Sequence, residues 1–68
     1  MPIVDITLIE GRTPEAKTRL IAKVTDAVVE AIAAPRDSVR VILREIPGSH
    51  FGVAGVAKGP AQTKPTGG

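Results

Sequence analysis

The sequence predicts an α/β fold: a βαβ subunit with parallel strands plus a short C-terminal β-hairpin. Three observations predict it. Segments 3–9 and 39–46 are rich in β-branched residues and alternate apolar side chains onto one face. Between them lies a stretch of apolar residues at helical spacing, opened by Thr13-Pro14 and closed by Pro35. A helical crossover of that length joins parallel strands, and such connections are right-handed.

The first strand reads Ile-Val-Asp-Ile-Thr-Leu-Ile from Ile3 to Ile9. Val4, Ile6 and Leu8 share one face; Ile3, Asp5, Thr7 and Ile9 share a mixed one. Glu10-Gly11-Arg12 makes a turn, with Gly11 free to take a positive φ. Thr13 is the expected N-cap, Pro14 the first helical residue, and Glu15 sits near the positive end of the helix dipole. The helix runs to Ala34 with an apolar stripe of Leu20, Ile21, Val24, Val28, Ala31 and Ile32. Lys17, Lys23, Asp26 and Glu30 fall mostly elsewhere on the wheel. Pro35 disfavours a helical Ala34 and ends the helix. After the loop Arg36–Ser38, the second strand spans Val39–Ile46. Val39, Val41 and Leu43 line one face; Arg40, Ile42, Arg44 and Ile46 line the other. Pro47-Gly48-Ser49 breaks it, and His50–Ala57 reads as a β-hairpin. Residues 1–58 form a single expected domain, and 59–68 a flexible Gly/Pro-rich tail.

Composition argues for association. A chain of 68 residues buries only about 60% of its unfolded surface, and small scaffolds need disulfides, a metal or partner subunits. The absence of Cys excludes disulfides and thiolate metal sites, and a single His excludes two-histidine zinc motifs. One helix covers one sheet face, whereas Ile3, Ile9, Ile42 and Ile46 remain on the other. Parallel sheets are generally covered on both faces, so a second copy of the chain is expected there.

The net charge of +2 comes from nine basic residues interspersed with seven acidic ones, without a polybasic tract. Aromatic content of 1% offers no stacking platform for nucleic acid. No apolar run approaches the roughly 18 residues of a membrane span, and Met1–Asp5 lacks a basic signal-peptide start. The expected setting is cytoplasmic, without nucleic-acid or membrane partners.

Most catalytic constellations are missing. Gly52-Val53-Ala54-Gly55 is too short for a phosphate loop and opens no helix. His50 reads as a loop side chain that caps backbone groups or faces water. Pro2 is the unusual candidate. A small residue after Met1 favours removal of the initiator, leaving a secondary amine fixed by its own ring. An ordinary α-amino group titrates near about 7.7–8.0, and a proline amine is more basic. An apolar surrounding and nearby cations both lower such a value, giving a neutral amine able to take a proton. Many chains nevertheless begin Met-Pro without catalysis. Arg12 and Arg40 suit carboxylate binding, but periodicity alone favours reading each as a surface ion pair with Glu10 or Glu45. Parallel strands put Pro2 and Arg40 at one end and Arg12 at the other, so a site using all three borrows an arginine from a neighbouring chain.

Pro2 after Met1, Leu8-Ile9-Glu10-Gly11-Arg12, the long helix closing at Ala34-Pro35, Ser38-Val39-Arg40-Val41-Ile42 and His50-Phe51-Gly52-Val53 occur in order. Together they resemble the 4-oxalocrotonate tautomerase family, from Pro2 to about Lys58. The resemblance implies subunits that pair into a four-stranded sheet with two helices, and a homo-hexamer built as a trimer of dimers. It implies Pro2 as general base and acid in a cofactor-independent isomerase, with no metal. Arg12 would hold the substrate's far carboxylate. Arg40, from another subunit, would bind the 2-oxo oxygen and adjacent carboxylate. Phe51 would wall the pocket, and Ile9 and Ser38 would line it. The implied substrate is a dicarboxylate or 2-oxo acid of the 2-hydroxymuconate type, from aromatic hydrocarbon catabolism. The residues after Lys58 depart from the family's ending. Val53, Ala54, Gly55 and Val56 supply no acidic residue to activate water, which disfavours hydratase chemistry. Two other readings stay open: a tautomerase acting on another enol or 2-oxo acid, and a non-catalytic oligomeric scaffold that binds anions.

Overall fold

The first strand and the second lie side by side as the alternation requires. The computed structural model describes residues 1–59. Its elements are β1 (Ile3–Ile9), α1 (Pro14–Ile32), β2 (Arg40–Ile46), β3 (Gly52–Val53) and β4 (Val56–Ala57), with short 3-10 turns at Arg36–Ser38 and Gly48–His50. β1 and β2 pair in parallel, Ile3 opposite Arg40 through Ile9 opposite Ile46. Two backbone bonds extend the ladder beyond both ends: Arg40 N–H donates to the Pro2 carbonyl at 3.0 Å, and Glu10 N–H to the Ile46 carbonyl at 2.8 Å. β3 and β4 form the antiparallel hairpin. Its two turn residues, Ala54 (φ 53°) and Gly55 (φ 83°), both have the positive φ that a two-residue type I′ turn requires.

The start of α1 follows from local chemistry. Thr13 is extended, and its hydroxyl accepts from the Ala16 N–H at 3.1 Å. Pro14 occupies the first turn, where its missing N–H costs no hydrogen bond. The helix ends two residues before the expected Ala34. Ala33 is left-handed (φ 55°), and its N–H closes onto the Val29 carbonyl at 3.0 Å, so the cap forms before Pro35 can act. β2 likewise begins at Arg40 rather than Val39, because the Val39 N–H is used by the preceding turn, donating to Arg36 O.

Val4, Ile6 and Leu8 with Val41 and Leu43 are half-buried beneath α1. Leu20, Val24, Val28 and also Val29 face them as half-buried helix residues. The rest of the expected stripe does not reach the sheet: Ile21, Ala31 and Ile32 are exposed. Two strands are too narrow to cover a stripe that wide. Lys17 takes an inner position instead, its Nζ 2.8 Å from Glu45 Oε1.

The opposite sheet face is open. Ile3 is 59% and Ile42 40% exposed. Beside Ile42, Arg44 grips Asp5 with Nε and Nη2, at 2.9 Å to Oδ1 and 3.0 Å to Oδ2. The hydrogen bond to Asp5, and then its charge, hold the Arg44 guanidinium above its ordinary pKa. No described residue is fully buried. A two-stranded sheet with one covering helix therefore leaves this protomer without a closed core. No helix among the described residues is long and apolar enough to cross a membrane. Of the expected tail, residues 60–68 lie outside the described residues.

Candidate active site

The six candidate residues fall into two clusters at opposite ends of the β1–β2 sheet. Pro2, Ser38 and Arg40 occupy the end where both strands begin. Ile9, Arg12 and Phe51 follow the end where both strands finish. β1 has seven residues, so at about 3.3 Å per residue the two ends stand roughly 20 Å apart.

At the first end, the Pro2 carbonyl is fixed by the Arg40 N–H, and the ring is half-buried. Met1 projects beyond it, 77% exposed. Proline fits at this point because it starts the strand, where no ladder donor is required. The turn Arg36–Ser38 packs its own polar groups: the Ser38 hydroxyl donates to the Pro35 carbonyl at 2.7 Å. Arg40 folds back on the same turn, Nη1 donating to the Asp37 carbonyl at 2.7 Å. That carbonyl was not foreseen as a holder of Arg40, although a residue three positions upstream in a tight turn is within reach of a guanidinium.

At the second end, Gly11 adopts φ 130°, a conformation that side chains with a Cβ rarely take. The chain reverses there and returns Arg12 over the strand terminus, where Nη1 donates to the Ile9 carbonyl at 2.9 Å. Phe51 follows the Gly48–His50 turn and is 37% exposed.

Neither arginine forms the ion pair open to it in the sequence. Glu45 is taken by Lys17, and Arg36 and Arg44 pair with Asp26 and Asp5. Arg12 and Arg40 are each held by a single backbone carbonyl and have no carboxylate partner among the described residues. Each guanidinium keeps most of its five donors for an external acceptor. An uncompensated, pre-positioned guanidinium suits a carboxylate or an oxyanion. The concave patch on α1 lined by Pro14, Glu15, Thr18, Arg19 and Ala22 contains none of these six residues. No group of three His, Cys, Asp or Glu side chains among the described residues is placed to hold a metal.

The βαβ chain, with parallel strands, one covering helix and a short antiparallel hairpin, is a small α/β protein with a proline heading its first strand and an arginine without a carboxylate partner among the described residues at each end of its sheet. The chain belongs to the tautomerase family: the family model described as "Tautomerase enzyme" matches residues 2–61. A probable tautomerase of Ralstonia nicotianae is 55% identical over 65 residues, covering 96% of this chain and 93% of that protein. Among solved structures, a 4-oxalocrotonate tautomerase isozyme of Methylibium petroleiphilum superposes with a TM-score of 0.81. It is 46% identical and the match covers 84% of this chain and 92% of that one. A heterohexameric 4-oxalocrotonate tautomerase from Chloroflexus aurantiacus gives 0.84 at 32% identity, covering 91% and 100%. The protein is thus an enzyme of isomerase type.

Proposed function

We propose that this enzyme moves a proton within a dicarboxylate or 2-oxo acid of the 2-hydroxymuconate type, without a cofactor. Pro2 serves as base and acid once Met1 is removed. The observation that carries the reading is the state of Arg12 and Arg40: both are positioned by backbone carbonyls and neither is neutralised. Two such cations match a dianion.

From a 2-hydroxydienoate the neutral Pro2 amine takes the 2-hydroxyl proton, leaving the O–H pair on that oxygen. From an unsaturated 2-oxo acid it takes a proton from the carbon between the ketone and the double bond, and the C–H pair moves to the 2-oxo oxygen. Both give the same dienolate. The resulting prolinium returns that proton to a carbon further along the chain, and the electrons flow back to restore the ketone. Arg40 stabilises charge on the oxygen and the adjacent carboxylate, and Arg12 holds the remote carboxylate. Cations fixed before the reaction do this without reorganising, and they also disfavour a protonated Pro2. Ile9, Ser38 and Phe51 line the pocket.

The separation of the clusters supports a site built from more than one chain, because Pro2 and Arg12 of one protomer cannot meet on one small substrate. The open face bearing Ile3 and Ile42 supports a homo-oligomer, and we place the assembly as a hexamer of three dimers. The test combines intact mass with turnover of 2-hydroxymuconate followed by ultraviolet absorbance. The expected result is a chain lacking Met1 that is active and loses most activity in Pro2→Ala. Carboxylate binding without turnover by a chain that keeps Met1 would overturn the reading.

A further inference from the structure

We propose that Gly48 and Gly59 form a backbone clasp that positions Phe51 against the substrate pocket. The proposal rests on the reading of Phe51 as the pocket wall. The Gly48 carbonyl accepts two hydrogen bonds, from the Phe51 N–H at 3.1 Å and from the Gly59 N–H at 3.0 Å. The Phe51 carbonyl accepts in turn from the Lys58 N–H at 2.8 Å. The only aromatic residue of the chain is therefore tied at both its N–H and its C=O, and both ties run through the Gly48–Gly59 contact or the residue beside it.

Glycine is required at both positions for one reason, close approach. Neither residue has a φ in the left-handed region, unlike Gly11 and Gly55. A Cβ on Gly59 would stand 2.7 Å from Gly48 Cα and 2.9 Å from its carbonyl carbon. A Cβ on Gly48 would stand 2.8 Å from Gly59 Cα. These are backbone atoms, so no side-chain rotation relieves the clash. Restoring ordinary contact at 3.4 Å forces the two segments apart by several tenths of an ångström. The same Gly48 Cβ would lie 3.7 Å from Ile9 Cγ2. The clasp thus lies beside the strand end whose carbonyl holds Arg12. Gly48 and Gly59 are positioning residues that act through Phe51.

A single-phenylalanine chain allows a direct test: protein labelled with 4-fluorophenylalanine gives one fluorine resonance, that of Phe51. Gly48→Ala and Gly59→Ala are expected to shift that resonance while circular dichroism shows the helix intact. Thr25→Ala, which removes only a hydroxyl bonded to the Ile21 carbonyl on α1, is expected to leave it in place. With 2-hydroxymuconate, the clasp variants are expected to raise KM several-fold, up to about tenfold, as loss of part of an aromatic wall contact does, with a smaller change in kcat. Gly59 lies beyond β4, so its variant carries the test should Gly48→Ala not fold. An unmoved resonance in a folded variant, or a shifted resonance with unchanged KM, overturns the proposal. Absence of turnover in the unsubstituted protein overturns the substrate reading alone, and the resonance then decides for the clasp by itself.

Discussion

Replacing Ile42 with Ala should weaken assembly by an amount that follows from its exposure. Ile42 stands on the open sheet face directly opposite Asp5 and is 40% exposed in the protomer. Ile→Ala removes three carbons, each worth about 0.8 kcal/mol when buried. The share that only a partner chain can cover then amounts to about 1 kcal/mol per chain. A two-fold interface brings the residue in twice, giving about 2 kcal/mol per pair and roughly a thirtyfold rise in dissociation constant. Sedimentation velocity and turnover, measured across a dilution series, report this directly. The midpoints of both curves should move together to roughly thirtyfold higher protein concentration, with turnover per assembled site unchanged at saturation. Midpoints that coincide with those of the unsubstituted protein would refute the reasoning, because they would mean that the open face stays open.

Other outcomes follow from local structure. Thr13→Ala removes the acceptor of the Ala16 N–H and should cost about 1 kcal/mol in urea denaturation. Ala33→Gly relieves a left-handed alanine at the end of α1; stability should rise by about 0.5–1 kcal/mol in the same assay, since glycine takes that conformation without the Cβ penalty. A chain carrying an extra residue fixed ahead of Pro2, checked by intact mass, should assemble normally and lose turnover, because an amide nitrogen is not a base.

Much of the fold was legible because its signals are local. The alternation of Val4, Ile6 and Leu8 fixed which face α1 covers, and Thr13-Pro14 fixed where α1 begins. The helix end was less legible: Pro35 marks a boundary, but the cap forms earlier through the unusual φ of Ala33. Periodicity also assigned Ile21 and Ile32 to a covered stripe that two strands cannot reach. Lys17 shows the converse, a charged residue drawn inward because Glu45 lies across from it. At the site, the sequence supplied Arg12 and Arg40 but not their partners. Their backbone acceptors depend on turn geometry at Gly11 and at Arg36–Ser38, which spacing alone does not reveal. The Gly48–Gly59 contact joins residues that look like unremarkable loop glycines in the linear chain.

The central claim is that Pro2 and Arg12 act on one substrate from different chains, and subunit mixing tests it most directly. Pro2→Ala and Arg12→Ala proteins, each poorly active alone, are unfolded together in equal amounts and refolded. If the residues come from different chains, random assembly gives about a quarter of the sites both native residues, and that share of the original activity returns. If both residues serve from the same chain, every site lacks one of them, and a mixture no more active than its separate components would contradict the account.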